Sequence, residues 1–395
     1  MDFLLLTLSK LGNGLWVFLS FLVVIAIVVV IHELGHFWVA RWCGVKVTEF
    51  SVGFGKGEIG FGRELFHWHD KHGTRWRIQS VPLGGFVKFA DDQNAASKPD
   101  PNAIEKFSEE ERKSLFQTKP LWQKAAVIAA GPLANFILAI GIFASIFYFA
   151  GEPITPAKVG GFTETSAARE AGLEPNDLIK SIDGQKVQSF NDILRVVTIS
   201  AGRPLKFEVE RQGKLLDITV TPRSTEVDDG TGGKIRVGRV GITQPASVAA
   251  AEGSRITYSP WGALTRSLNE CVFVTQQTLG YIWRLVTLRD KPDQLGGIPR
   301  IAELSGKVTQ AGFIPALSFI AFISLSIGLA NLLPIPILDG GHLMFYAAEA
   351  IRGKPLPDRF MDYAFRFGAA VLLTMFVVAT YNDLGIIGRW IGLGN

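Results

Sequence analysis

The chain has 395 residues, of which 48% are hydrophobic and 19% are charged, and its formal net charge is +4. Soluble domains carry about 25% charged residues, so this deficit of charge favours a membrane protein. The small net charge and the lack of a run rich in Lys and Arg argue against nucleic-acid binding. Two cysteines, Cys43 and Cys271, are too few for a disulfide framework.

Four hydrophobic segments are long enough to cross about 30 Å of hydrocarbon as helices of about 20 residues. The first is longer than the apolar core of most signal peptides, and no small-residue cleavage site follows it, so we expect a retained membrane helix. Arg366 makes the last segment the least apolar of the four. The predicted spans are residues 15–41, 125–150, 312–334 and 364–381.

The charges beside the spans predict their orientation, because cytoplasmic loops are enriched in Lys and Arg. Arg41 and Lys46 follow the first span closely. Three more basic residues lie between the last two spans, namely Arg352, Lys354 and Arg359. We therefore expect residues 43–120 and 335–363 on the cytoplasmic side, and residues 151–311 and both termini on the other side.

The two long polar stretches are predicted to contain β-structure. Residues 45–54 and 75–89 are rich in β-branched and aromatic residues, and Pro82-Leu83-Gly84-Gly85 in the second segment is a turn signal. We expect these segments to form β-hairpins that lie against the membrane. Residues 224–234 are acidic and glycine-rich, which indicates a flexible connection. Residues 261–288 have the pattern of an amphipathic helix at the membrane surface. Further short helices and strands are predicted at residues 166–173, 177–182, 190–199, 205–210 and 215–221.

The strongest chemical signal is His32-Glu33-Leu34-Gly35-His36 at the end of the first span. Residues four apart share a helix face, so both imidazoles can bind one metal ion. Glu33 is close enough to take a proton from a water whose pKa zinc lowers toward about 7. Three ionisable side chains in an apolar segment are costly unless they are paired or coordinated. The alternative interpretation is a polar cluster that satisfies itself near the membrane interface.

A catalytic zinc ion needs a third protein ligand and an open position. The candidate is Asp339, in the sequence Asn331-Leu332-Leu333-Pro334-Ile335-Pro336-Ile337-Leu338-Asp339-Gly340. Prolines interrupt the helix here, and irregular backbone is tolerated in a membrane only where protein buries it or it lines a cavity. The charge pattern places this segment on the same side as the two histidines. The alternative interpretation is a helix cap followed by a turn.

These motifs resemble the signatures of the site-2 proteases, a family of intramembrane zinc metalloproteases, and especially its bacterial regulator of sigma-E protease (RseP) type. The histidine motif and residues 331–340 match two of the signatures. The third match is Ala130-Gly131-Pro132-Leu133-Ala134-Asn135, at the start of the second span. Residues 153–223 resemble the PDZ domain that these enzymes insert between their second and third spans. The enteric enzyme carries two tandem PDZ domains, whereas this sequence shows one.

The resemblance implies a role for each matched residue. His32, His36 and Asp339 would bind Zn²⁺, and Glu33 would be the general base. Strands within residues 43–120 would hold an unwound substrate by edge pairing, because a helical peptide bond is shielded by its own hydrogen bonds. Four further residues are assigned to substrate binding, namely Asn331, Pro334, Pro336 and Asn135.

The prediction is a polytopic α-helical membrane protein with about four transmembrane helices, membrane-associated β-hairpins and an inserted PDZ-like α+β domain. Residues 1–150 and 312–395 would form the protease core, 151–225 the periplasmic PDZ-like domain, and 226–311 a linker with an interfacial helix. The protein would lie in the bacterial inner membrane with its active site toward the cytoplasm. Expected partners are the lipid bilayer, single-pass transmembrane substrates such as anti-sigma factors, and a peptide C-terminus at the PDZ-like domain.

Two other functions fit parts of the sequence. One is a catalytically inactive scaffold that recruits partners through the PDZ-like domain, against which the intact metal motif argues. The other is a transporter, because broken helices and polar residues in a membrane also mark ion pathways. Residues 67–72 hold three histidines that we interpret as a solvated loop, and His342 is assigned a structural role. Residues 55–60 fit G-x-G-x-x-G, but no βαβ unit surrounds them.

Overall fold

The structure is a computed structural model that describes residues 2–92, 107–153, 156–187, 189–228, 234–244, 255–288, 292 and 295–390. The chain divides into two compact units. The first is built on membrane-length helices and contains Met1–Ile146, Leu264–Ile282 and Gly296–Tyr381. The second is built on short strands and helices and contains Phe147–Ala263, Trp283–Leu295 and Asn382–Asn395.

Among the described residues, four helices are long and apolar enough to cross a membrane, in agreement with the four spans predicted from the sequence. These candidate spans are Gly12–Trp42, Leu121–Ala150, Phe313–Leu332 and Arg359–Asn382. The helices that the structure describes, in chain order, are α1 (Asp2–Trp42), α2 (Lys56–Ile59), α3 (Glu109–Arg112), α4 (Leu121–Ser145), α5 (Ala167–Glu170), α6 (Phe190–Thr198), α7 (Pro260–Val286), α8 (Ile298–Gln310), α9 (Phe313–Leu332), α10 (Asp339–Arg352), α11 (Asp358–Asn382) and α12 (Leu384–Trp390).

The strands are short, and most lie in the two stretches where the sequence predicted β-structure. In chain order they are β1 (Val47–Phe54), β2 (Glu64–His69), β3 (Arg75–Gln79), β4 (Val81–Phe89), β5 (Glu152–Pro153), β6 (Gly161–Phe162), β7 (Leu178–Ile182), β8 (Gln185–Lys186), β9 (Leu205–Arg211), β10 (Lys214–Val220), β11 (Arg223–Asp228), β12 (Lys234–Arg239), β13 (Ile242–Thr243) and β14 (Arg255–Ile256).

The first unit contains a mixed four-stranded sheet in the order β2-β3-β1-β4. β1 pairs in parallel with β3 and antiparallel with β4, while β2 pairs antiparallel with β3. The two segments in which hairpins were expected, residues 45–54 and 75–89, form β1, β3 and β4, while β2 was not predicted. The expectation of a hairpin is wrong for residues 75–89, which divide at Ser80 into two strands that each pair with β1 instead of with each other.

Gly84 and Gly85 were taken from the sequence as a turn, but they lie inside β4. A Cβ atom on Gly85 would lie 2.7 Å from the carbonyl oxygen of Ser51 and 3.4 Å from Cγ of Glu33. A Cβ atom on Gly84 would lie 2.7 Å from Cζ of Phe54. The two glycines therefore let β4 pack closely against β1 and α1, and close packing selects glycine as strongly as a turn does.

The loop predicted around the three histidines of residues 67–72 is in part a strand. His67 and His69 lie on β2, whose side chains are mostly exposed. Nδ1 of His67 lies 2.6 Å from Oε1 of Glu64, to which it donates. The prediction of a loop is wrong because an exposed edge strand needs no apolar alternation, so its sequence gave no strand signal.

The core of the first unit places the end of the first span between the sheet and the second span. α1 packs against α4, α8 and β4, and α4 packs against α9 and α10. One buried cluster joins Phe37 of α1 to Phe50 and Val87 of the sheet and to Val127 of α4. The end of α1, which carries the histidine motif, is therefore enclosed by protein on two sides.

The second unit contains an antiparallel sheet in the order β10-β9-β7-β8. The strands and short helices predicted between residues 166 and 221 are present as α5, β7, α6, β9 and β10. Ile179, Ile193 and Phe207 are buried at its centre. The flexible connection predicted at residues 224–234 is wrong in part, because β11 and β12 pair antiparallel there. Residues 229–233 lie outside the described residues.

Candidate metal centre and active site

Two imidazoles and one carboxylate converge where α1 meets the start of α10. Nε2 of His32 lies 3.2 Å from Nε2 of His36 and 3.2 Å from Oδ2 of Asp339. Nε2 of His36 lies 3.6 Å from the same carboxylate oxygen. The structure therefore brings Asp339 beside two histidines that lie about 300 residues earlier in the sequence.

These three side chains fit a zinc ion. Among the described residues they form a group whose possible ligand atoms lie within 4.8 Å of one another. Oδ2 of Asp339 is buried and receives no well-formed hydrogen bond, although it faces both rings. Ligands bound to tetrahedral zinc at about 2.0–2.1 Å lie about 3.3 Å apart, which is close to the separations seen here. A cation would satisfy a buried carboxylate oxygen that faces two ring nitrogens and has no hydrogen-bond partner among the described residues.

The protein fixes the ring of His36 through the backbone of α4. Nδ1 of His36 lies 2.8 Å from the carbonyl oxygen of Val127. A carbonyl oxygen can only accept, so Nδ1 carries the proton and Nε2 presents its lone pair to the other two side chains. This hydrogen bond selects the tautomer that can bind a metal.

Asn135 supports His32 in a similar way from the next turns of α4. Its side-chain amide lies 3.2 Å from Nδ1 of His32, and Asn135 itself is fully buried. Ser324 of α9 donates to the carbonyl oxygen of Asn135 at 2.9 Å. The atom that faces Nδ1 here is Nδ2 of Asn135, and Oδ1 is buried without a partner among the described residues. When Nε2 of His32 binds a metal, Nδ1 carries the proton, and a turn of the Asn135 amide that exchanges Oδ1 and Nδ2 would supply the acceptor. The predicted contact of Asn135 with substrate stays a prediction.

Glycines at the α1–α4 interface determine how closely the histidines approach α4. A Cβ atom on Gly131 would lie 2.6 Å from Cε1 of His36 and would also collide with Nε2. A Cβ atom on Gly35 would collide with the carbonyl oxygen of Ala130 and lie 2.8 Å from Cβ of Ala134. Small residues allow helix backbones to approach closely within a membrane. The two glycines, one in each motif, therefore make room for the centre.

Glu33 lies beside the metal-binding group and is held by the sheet. The backbone N–H of Val87 donates a hydrogen bond to its carboxylate. Among the described residues β4 pairs with β1 alone, so it forms one edge of the sheet. The hydrogen bond from the Val87 N–H places Glu33 directly against β4.

The segment before Asp339 is irregular and closely packed. Ile337 has a φ of 103°, which is rare for a β-branched residue. Cβ atoms on Gly340 would collide with the carbonyl oxygens of Leu332 and Leu333. Strained backbone at a site of this kind persists only where its surroundings enforce it.

α11 closes over the same segment. A Cβ atom on Gly368 would lie 2.8 Å from the carbonyl carbon of Pro336 and would collide with its oxygen. Pro336 is buried, whereas Pro334 is exposed and Asn331 is half-buried at the end of α9. Their predicted contacts with substrate stay predictions.

His342 lies one turn after Asp339 but outside the metal-binding group. Its ring centroid lies 5.7 Å from that of Phe365 and 6.3 Å from that of Phe345. His342 therefore packs among aromatic rings, in keeping with the structural role assigned from the sequence.

The comparison with known families matches residues 20–375 to peptidase family M50. The chain therefore belongs to this family, the site-2 proteases, and is a membrane-embedded, zinc-dependent protease. The chain is similar to a candidate zinc metalloprotease of Agrobacterium fabrum, with 44% identity over 92% of this chain and 94% of the relative. It is also similar to the metalloprotease MmpA of Caulobacter vibrioides, with 39% identity over 92% of this chain and 94% of that protein.

A comparison with solved structures finds the PDZ domain of an SdrC-like protein from Listeria monocytogenes. The match covers 24% of this chain and 92% of that domain, with 19% identity and a TM-score of 0.19. A likeness at that score carries no argument about the second unit, so its assignment as PDZ-like remains a prediction from the sequence.

Proposed function

We propose that this protein hydrolyses a peptide bond within single-pass transmembrane proteins, of which anti-sigma factors are the representative class. The observation that carries the proposal is the convergence of His32, His36 and Asp339 around a buried carboxylate oxygen that has no hydrogen-bond partner among the described residues. In this proposal the three side chains bind zinc. When bound, zinc lowers the pKa of water and polarises the scissile carbonyl.

Glu33 is the proposed general base. Its carboxylate takes a proton from the attacking water as the new C–O bond forms, and passes the proton to the nitrogen of the breaking C–N bond. The products are a carboxylate and an amine, so the atoms balance without another reactant. The Val87 N–H fixes the carboxylate, and the hydrogen bond to His36 Nδ1 fixes the neighbouring ring.

The proposed substrate enters as an extended strand along the open edge of β4. An edge strand presents unpaired backbone groups, and an added strand pairs with them irrespective of its side chains. The hydrogen bond between Glu33 and the Val87 N–H supports this proposal, because it places the base beside the strand with which the substrate would pair. Substrate sequences that unwind easily would therefore be cleaved in preference to stable helices.

The proposed location is the bacterial inner membrane, with the metal centre toward the cytoplasm. Basic residues after the first span and between the last two spans support this orientation. Residues 151–225 would then lie in the periplasm as a PDZ-like domain. We propose that it binds the C-terminus of a substrate whose outer part has been removed, and so selects what enters.

The test compares the purified full-length protein with its Glu33→Gln variant on a model single-pass substrate. We expect the variant to bind one zinc ion and to lose cleavage by about 100- to 10,000-fold, the usual range for a general base. Glu110→Gln is the matched control, because Glu110 is exposed on α3. Cleavage by the wild type should stop with a chelator and return with zinc.

Two results would contradict the proposal. Equal cleavage by the wild type and by the Glu33→Gln variant would remove Glu33 as the base. A folded wild-type protein that neither binds zinc nor cleaves would favour the inactive scaffold, in which the metal-binding group has no chemical role.

A further inference from the structure

A cavity of about 460 Å³ lies at the end of α1, away from the metal-binding group. It is formed by the last turn of the first span, the start of β1 and the turn that precedes β3. Its lining combines aromatic and aliphatic side chains with three basic ones, and no acidic residue is among them. The lining residues are Phe37, Trp38, Arg41, Trp42, Val45, Lys46, Val47, His72 and Thr74.

Arg41 lines this cavity and carries one donor that has no partner among the described residues. Its Nη1 donates to Oδ2 of Asp70 at 2.8 Å, and its guanidinium lies 5.1 Å from the ring centroid of Phe37. Nη2 of Arg41 is buried and has no hydrogen-bond partner among the described residues. A buried N–H group of a cation without an acceptor is costly, and an anionic oxygen would satisfy it. Asp70 therefore orients the guanidinium and leaves one nitrogen for another ligand.

Lys46 adds a second cationic group to the lining of the cavity. Its side chain is exposed, and its charge also helps to lower the pKa of Glu111. Its backbone is fixed, because Lys46 donates from N to the carbonyl oxygen of Ser114 and accepts at O from Ala90. An anion at the cavity would therefore compete with one exposed carboxylate for the ammonium group of Lys46.

The aromatic side chains indicate the source of that anion. Trp38 is 55% exposed and Trp42 is 84% exposed, at the end of a helix long enough to span a membrane. Tryptophan is enriched where a membrane helix meets the lipid headgroups. A cavity with basic groups above exposed tryptophans matches a phosphate group that is joined to acyl chains. A free inorganic phosphate would use the basic groups but not the aromatic ones.

We propose that this cavity, which we call the Arg41 pocket, binds the headgroup of an anionic phospholipid. The phosphate would accept hydrogen bonds from Nη2 of Arg41 and from the ammonium group of Lys46. The acyl chains would run along Trp38 and Trp42. The bound lipid would fix the junction between the first span and the sheet that carries β4.

The test measures binding of phosphatidylglycerol to the full-length protein in detergent by native mass spectrometry. Phosphatidylcholine and inorganic phosphate serve as the comparison ligands. We expect Lys46→Gln to weaken phosphatidylglycerol binding about fivefold, since one basic residue near an anionic surface contributes about 1 kcal/mol. Lys71→Gln is the matched control, because Lys71 is also exposed but does not line the pocket.

A photoactivatable phosphatidylglycerol gives a second measurement that does not depend on any variant. We expect it to label residues 37–47, with less label after Arg41→Gln in protein whose zinc content shows it to be folded. Equal binding by the Lys46→Gln and Lys71→Gln variants, or labelling confined to other segments, would overturn the proposal. Inorganic phosphate that binds as tightly as the lipid would overturn the lipid as the ligand and leave a site for soluble anions.

Discussion

Replacing Gly131 by alanine tests whether the interface between α1 and α4 sets the metal centre. The added Cβ atom would lie 2.6 Å from Cε1 of His36. Carbon atoms in contact lie about 3.5–4.0 Å apart, so the ring must move by about 1 Å. Metal–ligand distances tolerate about 0.2 Å, so this shift removes His36 as an effective ligand. We expect zinc affinity to fall about 100-fold, or about 2.8 kcal/mol.

The assay is a competition for zinc between the purified protein and a chelator of known affinity. Gly141→Ala is the control, because Gly141 lies on the same helix and a Cβ atom there would meet nothing within 4 Å. It should bind zinc like the wild type and be slightly more stable, since alanine favours a helix over glycine. A folded Gly131→Ala variant with unchanged zinc affinity and activity would refute the reasoning.

Three further predictions follow from other contacts. Asn135→Ala should weaken zinc binding by about 10- to 100-fold in the same competition, because His32 loses the partner of its Nδ1 atom. Gly368→Ala should lower cleavage rates by displacing the segment before Asp339, and a normal rate measured with saturating substrate would contradict this. Burial alone would raise the pKa of Asp177, but its hydrogen bonds to Arg211 outweigh burial and lower that pKa. The resulting stabilisation is present at a pH above about 3.9, the pKa of an aspartate in the unfolded chain. It is lost as the pH falls through the lower pKa that Asp177 has in the folded protein. Thermal unfolding of the full-length protein at pH 7 to 3 should show this loss, and Asp177→Asn should reduce its dependence on pH.

The metal-binding group could be predicted from the sequence because helix geometry fixes the spacing of its two histidines. His32 and His36 share a helix face wherever they occur in a regular helix. Asp339 was found through its prolines and glycines, which mark irregular backbone in a hydrophobic region. Asp339 lies against both histidines in the structure, as the combined signals predicted.

The groups that orient the ligands were not predicted. Val127 acts through its backbone carbonyl, and every residue has one, so no sequence signal distinguishes it. Gly131 lies in a motif that was noted, but a glycine in a helix does not reveal which neighbour requires its missing side chain. Gly84 and Gly85 were misinterpreted for the same reason, since a turn and a close contact select the same residue.

The separation of the ligands along the chain also affects when the enzyme becomes active. About 300 residues lie between His36 and Asp339. Ribosomes add about 5–20 residues per second, so about 15 to 60 s pass between synthesis of the histidines and synthesis of the aspartate. During that interval the histidines are already in the membrane without their third ligand. The nascent chain therefore cannot cut its neighbours in the membrane until its last quarter has been made and packed.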